Sequence, residues 1–232
     1  MNHASQNTIT KNIITIRSQI AEAEKKYGRQ PGSVQLLAVS KTRPLEDIEA
    51  AFSANQHHFG ENYLQDALPK IEAITDPAIV WHFIGPIQSN KTRQIAENFD
   101  WVHGIDRLKI AQRFSEQRDP SVKPLNVCIQ LNTSNEESKS GVRLDGALEL
   151  AKSIHALPNI QLRGLMTIPA ATTDFDQQRQ SFRLLRELKD EIQSHGIELD
   201  TLSMGMSNDM EAAIAEGSTM VRIGTAIFGA RN

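Results

Sequence analysis

Residues 35–43, with the sequence QLLAVSKTR, decide between two folds. The apolar run is typical of a strand buried on both faces of a parallel sheet, and a helical pattern follows it at 44–54. An open doubly wound sheet usually carries a glycine-rich turn, G-x-G-x-x-G, after its first strand. This strand ends in SKTR, without a glycine. The ending favours the other common parallel architecture, a closed barrel.

The alternation of strand and helix continues along the chain. Eight apolar or β-branched segments predict strands, and each except the last is followed by a helical pattern. Eight such units in about 200 residues are typical of a (β/α)8 TIM barrel. Strands are expected at 35–41, 58–62, 81–85, 101–105, 126–132, 162–168, 201–206 and 220–224, and helices at 44–54, 63–73, 90–98, 106–116, 144–156, 174–194 and 208–215.

A further helix is predicted before the first strand. Ile9, Ile13, Ile16 and Ile20 have the spacing of one helical stripe, and Gly28 is placed to end the helix. No repeat, low-complexity run or linker indicates a second domain. We therefore expect residues 1–232 to form one α/β barrel domain with an extra N-terminal helix.

The composition is that of an ordinary globular protein. The 232 residues include 25 basic and 28 acidic ones, for a formal net charge of −3, and 39% are hydrophobic. Because basic and acidic residues nearly balance, the protein has no strong positive electrostatic field that would attract nucleic acid or anionic lipid, so neither is an expected partner. One cysteine excludes an internal disulfide and a cysteine-based zinc site. The polar start and the lack of a long apolar run predict a cytoplasmic protein without a membrane segment.

Lys41 is expected at the carboxyl end of the first strand. In a TIM barrel these strand ends face the functional mouth. Partial desolvation there lowers the pKa of a lysine, and a neutral amine can attack an aldehyde to form a Schiff base. The alternative is a solvated lysine at a strand end.

The last two strands are followed by residues suited to binding a phosphate. Ser207 precedes a helical pattern beginning near Asn208, which resembles a capping box with Glu211. A hydroxyl and the free N–H groups of a helix start make a phosphate site, and Gly224 with Thr225 offers a second set. TIM barrels frequently bind phosphate after strands 7 and 8. Taken singly, Ser207 is also explained as a plain N-cap and Gly224 as a tight turn.

A Schiff-base lysine together with a phosphate site suggests pyridoxal 5′-phosphate (PLP). Arg222 shares a strand face with Gly224, so it either points at the cofactor ring or forms an ion pair within the barrel. Asn62 either reaches the phenolic oxygen of the ring or caps the helix that follows it. His82 either lines the ring pocket or fills the barrel.

The remaining histidines and the cysteine predict no further site. His57, His155 and His195 have no partners at metal-ligand spacing and are expected on the surface. No metal site is therefore expected. Cys128 lies in the middle of a strand, where it is expected to be a small buried hydrophobe.

Contiguous motifs identify a family resemblance. They are LAVSKT (37–42), FGENY (59–63), WHFIGPIQSNK (81–91), SKSG (138–141), RGLM (163–166), MGMSNDMEAAI (204–214) and VRIGTAIFG (221–229). These segments resemble the YggS/PROSC family, whose members act in pyridoxal phosphate homeostasis and whose barrel is similar to the N-terminal domain of alanine racemase. The resemblance runs in register from about residue 9 to the end.

The resemblance implies the fold and the cofactor site together. It implies a barrel of the alanine racemase type with PLP bound covalently to Lys41. It also implies phosphate contacts from Ser207, Gly224 and Thr225, with Arg222 near the pyridine nitrogen. The complete expected set of cofactor-binding residues is Lys41, Asn62, His82, Met206, Ser207, Arg222, Gly224 and Thr225.

Two features disfavour catalysis. An arginine at the pyridine nitrogen makes the ring a poor electron sink, which disfavours transamination and carbanion chemistry. Racemisation needs two opposed bases, and the racemases that this family resembles take the second, a tyrosine, from the C-terminal domain of a partner subunit. This chain ends just after the eighth strand, and neither Tyr27 nor Tyr63 has an obvious role as that base.

The expected function is therefore binding. The protein is expected to hold PLP as a lysine aldimine, to limit the free cofactor and to release it to apo-enzymes. Amino acids are expected to form external aldimines, and a monomer is expected because much of the racemase dimer interface lies in the missing domain. The alternatives are a weak amino-acid racemase or another PLP enzyme, and a lysine-type aldolase that acts on a sugar phosphate without a cofactor.

Overall fold

A computed structural model describes residues 3–133 and 140–230. Eight parallel strands pair in sequence order and close into a barrel, with β1 hydrogen-bonded to both β2 and β8. The predicted barrel is confirmed. The elements are α1 (His3–Lys26), β1 (Gln35–Val39), α2 (Leu45–Ser53), β2 (His58–Glu61), α3 (Leu64–Ala73), β3 (Val80–Phe83), α4 (Thr92–Asn98), β4 (Trp101–Ile105), α5 (Leu108–Gln117), β5 (Leu125–Leu131), α6 (Leu144–His155), β6 (Ile160–Thr167), α7 (Phe175–Ser194), β7 (Thr201–Ser203), α8 (Met210–Ala215), β8 (Met220–Ile223) and α9 (Thr225–Phe228).

Several strands end earlier than the sequence predicts. β1 stops at Val39 instead of residue 41, and β7 stops at Ser203 instead of residue 206. After Val39 the chain enters a turn, closed by a hydrogen bond from Arg43 N to Ser40 O of 3.1 Å. After β7, Gly205 takes a φ of +97°, which a strand does not allow. The residues beyond the strand ends are thus free to face the mouth of the barrel.

The predicted N-terminal helix is confirmed. The four isoleucines of its stripe are buried, and α1 packs against α2, α8 and α9. Gly28 takes a φ of +64°, the left-handed conformation that ends helices. The buried carboxylate of Glu24 accepts hydrogen bonds from the backbone N–H groups of Gly32 (2.9 Å) and Val34 (2.8 Å), which tie the following loop to the helix.

Of the seven helices predicted after β1, six start one or two residues later than expected. Pro44 is the N-cap of α2 and not its first residue. The helix predicted from Asn208 begins at Met210, and the predicted capping box does not form. Its glutamate, Glu211, instead accepts hydrogen bonds from Lys26 Nζ (2.7 Å) and from the Tyr27 hydroxyl (2.9 Å), because α1 packs against α8 on this side.

The outer helices follow the predicted pattern. In α7 the predicted stripe of Phe182, Leu185, Leu188 and Ile192 is buried, and Asp174 caps the start by accepting a hydrogen bond from Gln177 N. No helix among the described residues is long and apolar enough to cross a membrane.

Candidate functional site

A cavity of about 1500 Å³ opens at the carboxyl ends of the strands. This is the face on which TIM barrels carry their functional sites. Its walls include the apolar side chains of Val39, Ile84 and Ile168. The cavity brings together every site residue that the sequence predicts except His82: Lys41, Asn62, Met206, Ser207, Arg222, Gly224 and Thr225.

Lys41 lies half-buried in the turn that follows β1. A buried ion pair contacts Ser40, the residue before Lys41 in this turn. In this pair, Lys70 Nζ lies 2.8 Å from Glu61 Oε1. Lys70 also donates to the carbonyl of Ser40 (2.9 Å), and the Ser40 hydroxyl donates to Glu61 Oε1 (2.6 Å). Burial raises the pKa of Glu61, and the charge of Lys70 opposes that shift. The peptide that carries Lys41 is thereby anchored to β2 and α3.

Two loops, after β7 and β8, bring hydroxyl and N–H groups to the cavity wall. Ser207 lies in the loop between β7 and α8, and Asp209 shapes this loop by accepting a hydrogen bond from Met206 N (2.6 Å). Thr225 is the first residue of α9, and the first N–H groups of a helix have no acceptor within it. A Cβ on Gly224 would lie 3.2 Å from the carbonyl oxygen of Val39, so glycine lets this loop lie close to β1.

Arg222 is a buried cation on the floor of the cavity, only 5% exposed. Its Nη1 donates to the carbonyl (2.6 Å) and the hydroxyl (2.9 Å) of Ser203, and its Nη2 donates to the carbonyl of Thr167 (2.9 Å). Burial lowers the pKa of Arg222 to about 10, while the negative charge of Asp209 acts to raise it. The guanidinium therefore remains charged at neutral pH. The predicted alternative, an ion pair within the barrel, does not form among the described residues.

Asn62 lines the cavity and does not cap the following helix. The N-cap position of α3 belongs to Tyr63. Asn62 Oδ1 is buried and has no hydrogen-bond partner among the described residues. Unsatisfied buried polar atoms are rare in folded proteins, so this one indicates a ligand group or water at the site.

His82 lies inside the barrel and not among the residues that line the cavity. Its Nε2 is 2.9 Å from His58 Nδ1, and its Nδ1 is 2.9 Å from His103 Nε2. His103 Nδ1 is in turn 2.8 Å from the hydroxyl of Ser203. Of the two sequence interpretations, the structure favours the one in which His82 fills the barrel.

The sequence patterns do not predict this row of histidines. Burial lowers the pKa of His58, of His82 and of His103, the last to about 3. The available signal was one histidine on each of three consecutive strands. No sequence spacing indicates that the row continues across the barrel to Ser203 on β7.

The structure also bears on the predictions for the remaining histidines and the cysteine. His155 and His195 are exposed, as predicted. The surface prediction for His57 is wrong, because this residue is half-buried and its ring lies perpendicular to that of Phe52, with the ring centroids 5.3 Å apart. Cys128 is buried as predicted, and burial raises the pKa of its thiol to about 12. No group of metal-ligating side chains suited to a metal ion occurs within 3–133 and 140–230. Residues 138–139 of the SKSG motif lie outside the described residues.

Comparison with known proteins places this barrel in a family. Residues 12–232 match the family model described as alanine racemase, N-terminal domain. A pyridoxal phosphate homeostasis protein of Vibrio alginolyticus is 58% identical over 229 residues, which cover 97% of this chain and 98% of the relative. The chain belongs to the pyridoxal phosphate homeostasis proteins of the alanine racemase N-terminal domain family. The protein of that name from Escherichia coli K12 is 49% identical, with 97% of this chain and 98% of the relative covered.

Solved structures agree with this family assignment. A protein from Bifidobacterium adolescentis, described as unknown, is 37% identical with a TM-score of 0.91, and covers 98% of this chain and 97% of its own. PipY of Synechococcus elongatus, solved with PLP bound, is 35% identical with a TM-score of 0.83, and covers 95% of this chain and all of its own. An alanine racemase from Corynebacterium glutamicum, 17% identical with a TM-score of 0.71, shares the fold; the match covers 97% of this chain and 62% of the racemase.

Proposed function

We propose that this protein binds PLP at Lys41 and serves the homeostasis of that cofactor. The observation that carries the proposal is the meeting of Lys41, Arg222 and the two hydroxyl-bearing loops in one cavity. Close relatives are named pyridoxal phosphate homeostasis proteins, and PipY was solved with PLP bound.

The chemistry of the cavity suits this cofactor. PLP has an aldehyde, an aromatic ring with a basic nitrogen and a phenolic oxygen, and a phosphate dianion. Lys41 supplies the amine for the aldehyde, and the hydroxyls of Ser207 and Thr225, with the N–H groups beside Gly224, supply donors for the phosphate.

The remaining side chains suit the ring. Arg222 supplies a donor for the pyridine nitrogen, and Met206 lies beside Ser207 at the wall. Asn62 brings its side-chain amide to the cavity, where the Nδ2–H group is suited to donate to the phenolic oxygen and the unsatisfied Oδ1 to accept from a ligand group or water. When bound, the cofactor supplies a reactive aldehyde, which the lysine would hold in a reversible covalent linkage.

Binding is favoured over catalysis because the cavity lacks a free second base among the described residues. Tyr63 is 52% exposed and is not part of the cavity wall, and Tyr27 is hydrogen-bonded to Glu211. The carboxylates that line the cavity are also engaged, Asp209 with Met206 N and Glu211 with Lys26 and Tyr27. An arginine at the pyridine nitrogen further weakens the ring as an electron sink.

The proposal extends to partners and assembly. The protein acts as a monomeric single domain over residues 1–232, in the cytoplasm. It releases PLP to apo-enzymes, and amino acids react with the bound aldehyde by displacing Lys41. Weak racemase activity is the competing function, and the shared fold with alanine racemase is what favours it.

Transfer to an apo-enzyme tests this function. PLP-loaded protein, freed of excess cofactor, is mixed with an apo aminotransferase, and the recovered activity is compared with that from an equal amount of free PLP. We expect reactivation by the loaded protein, and none from Lys41→Ala taken through the same steps. A Lys91→Ala variant, changed at a lysine that precedes α4 and does not line the cavity, is the matched control and should behave as wild type. A loaded protein that never releases PLP would contradict the homeostasis role.

A further inference from the structure

Arg222 is a buried cation whose contacts include no carboxylate of the described residues. A buried cation normally pairs with a carboxylate, because an uncompensated charge in the protein interior is costly. No carboxylate oxygen of the described residues lies within 4.0 Å of the Arg222 guanidinium. Its contacts are instead two carbonyls and the hydroxyl of Ser203. Asp209 favours the charged form from beyond 4.0 Å, and the groups in contact with the guanidinium must supply the rest of the stabilisation.

A continuous hydrogen-bonded row leads away from that hydroxyl. It runs from Ser203 Oγ to His103 (2.8 Å), from His103 to His82 (2.9 Å) and from His82 to His58 (2.9 Å). His82, His103 and Ser203 are fully buried, and His58, the first residue of β2, is half-buried. We call these three histidines the histidine row. It begins beside the guanidinium and ends at the amino-terminal end of β2.

The hydrogen-bonding partners determine which atom donates and which accepts at each step along the row. A guanidinium only donates, so Ser203 Oγ accepts from Arg222. The hydroxyl proton of Ser203 then has one acceptor among the described residues, His103 Nδ1. His103 must therefore carry its proton on Nε2 and donate to His82 Nδ1, and His82 Nε2–H must donate to His58 Nδ1. The reverse direction would leave the buried hydroxyl proton of Ser203 unpaired.

This direction aligns the dipoles of the row. Each imidazole directs its lone pair on Nδ1 towards Arg222 and its N–H away from it. The negative ends of three ring dipoles and of one hydroxyl thus all point towards the cation. A carboxylate would neutralise the guanidinium, whereas neutral dipoles stabilise it and leave its net charge in place.

We propose that His58, His82 and His103 are positioning residues that take the place of a carboxylate in contact with Arg222, holding its guanidinium as a cation that faces the cofactor ring. The proposal rests on the proposed function, because it assigns the ring to the neighbourhood of Arg222. It goes further by giving a role to three side chains outside the cavity wall. The row also keeps the Ser203 hydroxyl as an acceptor for the guanidinium.

The surroundings of the row are consistent with neutral imidazoles. His82 stacks on Trp101, with ring centroids 5.4 Å apart and planes inclined by 15°. The charged and titratable groups that act on the row are few. Arg222 acts on His103, His57 acts on His58, and the three imidazoles act on one another.

The first test uses the protein without cofactor. Nitrogen-15 NMR of labelled histidine side chains identifies which ring nitrogen carries the proton in each residue. We expect His82 and His103 to be neutral, with the proton on Nε2, from pH 8 to about pH 5.5, since burial lowers the pKa of both. A proton on Nδ1 of His103, or a doubly protonated His82 in this range, would overturn the proposal.

The second test uses two variants that break the row where it begins, beside Arg222. Ser203→Ala removes the hydroxyl, and His103→Phe removes the first imidazole while keeping a ring in its place. PLP labelled with nitrogen-15 in its ring reports the environment of the pyridine nitrogen. In both variants we expect this resonance to shift and the dissociation constant of PLP to rise about fivefold, the effect of about one hydrogen bond.

Matched controls separate this effect from a loss of packing. Ser218→Ala removes another fully buried serine hydroxyl, one that donates to the carbonyl of Met204 (2.7 Å) and not to the row. His155→Phe changes an exposed histidine. Both should leave the ring resonance unchanged. If Ser203→Ala folds and leaves it unchanged too, the proposal is wrong.

The two tests also separate this proposal from the one on which it rests. If wild-type protein shows no bound PLP resonance, the proposed function fails, while the NMR of the unloaded protein still decides the state of the row. If His103→Phe does not fold, Ser203→Ala and the tautomer measurement decide the outcome.

Discussion

At the scale of single residues, the proposed role of Ser207 as a phosphate ligand can be tested separately from recognition of the ring. Ser207 lies in the loop before α8 and lines the same cavity as Lys41. A hydrogen bond to a charged group contributes about 1.5–3 kcal/mol, and each 1.4 kcal/mol is about tenfold in affinity. We expect Ser207→Ala to weaken PLP binding about tenfold and to leave the binding of unphosphorylated pyridoxal almost unchanged, as measured by absorbance titration.

The same substitution at an unrelated serine provides the control for this prediction. Ser153 is exposed on α6, where its hydroxyl donates to the carbonyl of Glu149. Ser153→Ala should bind both ligands as wild type does. Equal losses of PLP and pyridoxal in Ser207→Ala would mean that Ser207 acts through the fold and not on the phosphate.

The residue types at the mouth could be predicted from the sequence because strand ends in a barrel share one face. Lys41, Ser207, Gly224 and Thr225 each follow a recognisable strand, and they do line one cavity. The partner of a side chain inside the barrel could not be predicted in this way. His103 meets Ser203 across 100 positions of sequence, and only the closed barrel brings these two strands within reach of each other.

At the scale of elements, the ion pair of Glu61 and Lys70 joins β2 to α3 behind Lys41. Both side chains are buried, and Lys70 also holds the carbonyl of Ser40. Removing one partner of a buried pair costs about 3–5 kcal/mol because the other charge is left uncompensated. We expect Lys70→Met to lower the free energy of unfolding by about this amount, as measured in urea at pH 8.

The size of that loss should depend on pH. A buried carboxyl that has lost its cation can take up a proton, so the cost of Lys70→Met should be smaller at pH 5 than at pH 8. The double variant with Glu61→Gln should recover much of the lost stability. A loss that is independent of pH and unchanged in the double variant would show that the packing of the Lys70 chain, and not the charge of Glu61, is responsible.

Helix starts were the least predictable elements. The pattern of apolar residues located the stripes of α1 and α7 correctly, because burial follows the helical repeat. The capping box at Asn208 and Glu211 failed because a glutamate near a helix start has other possible partners. Here Lys26 and Tyr27, at the end of α1, bind Glu211 instead. Packing between helices distant in sequence overrides such a local signal.

At the scale of the whole molecule, the buried histidines make stability depend on pH. Burial lowers the pKa of His82 well below 6.5 and that of His103 to about 3. Between these values and about pH 6.5 the unfolded chain binds more protons than the folded one, so stability falls as the pH falls. The slope is at most about 1.4 kcal/mol per pH unit for each histidine.

Urea midpoints at pH 7.5, 6.5 and 5.5 measure this dependence. We expect a progressive decrease of the free energy of unfolding in wild type, and a smaller decrease in His103→Phe, which has lost one of the two fully buried imidazoles. The exposed His155→Phe is the control and should follow the wild-type curve. A stability that rises towards pH 5.5 would contradict the neutral state of the row.

The architecture as a whole predicts a poor catalyst. A positioned general acid or base contributes about 10²–10⁴-fold, so a site without a free second base should racemise at least about a hundredfold more slowly than a racemase. We expect PLP-loaded protein to respond spectrally to L-alanine, because displacing Lys41 needs only an amine. In deuterated water, α-proton exchange and D-alanine formation should remain far below those of an alanine racemase at equal concentration. Rates within about tenfold of the racemase would favour the enzyme alternative.

The most direct measurement is the site at which the cofactor becomes attached. PLP-loaded protein is reduced with borohydride, which makes a Schiff base permanent, then digested and mapped by mass spectrometry. We predict attachment at Lys41, with pyridoxyl mass on the peptide that contains it, loss of the visible absorbance band on reduction, and neither result in Lys41→Ala. Label found mainly on Lys91 or Lys139, or retained at full yield in Lys41→Ala, would contradict it.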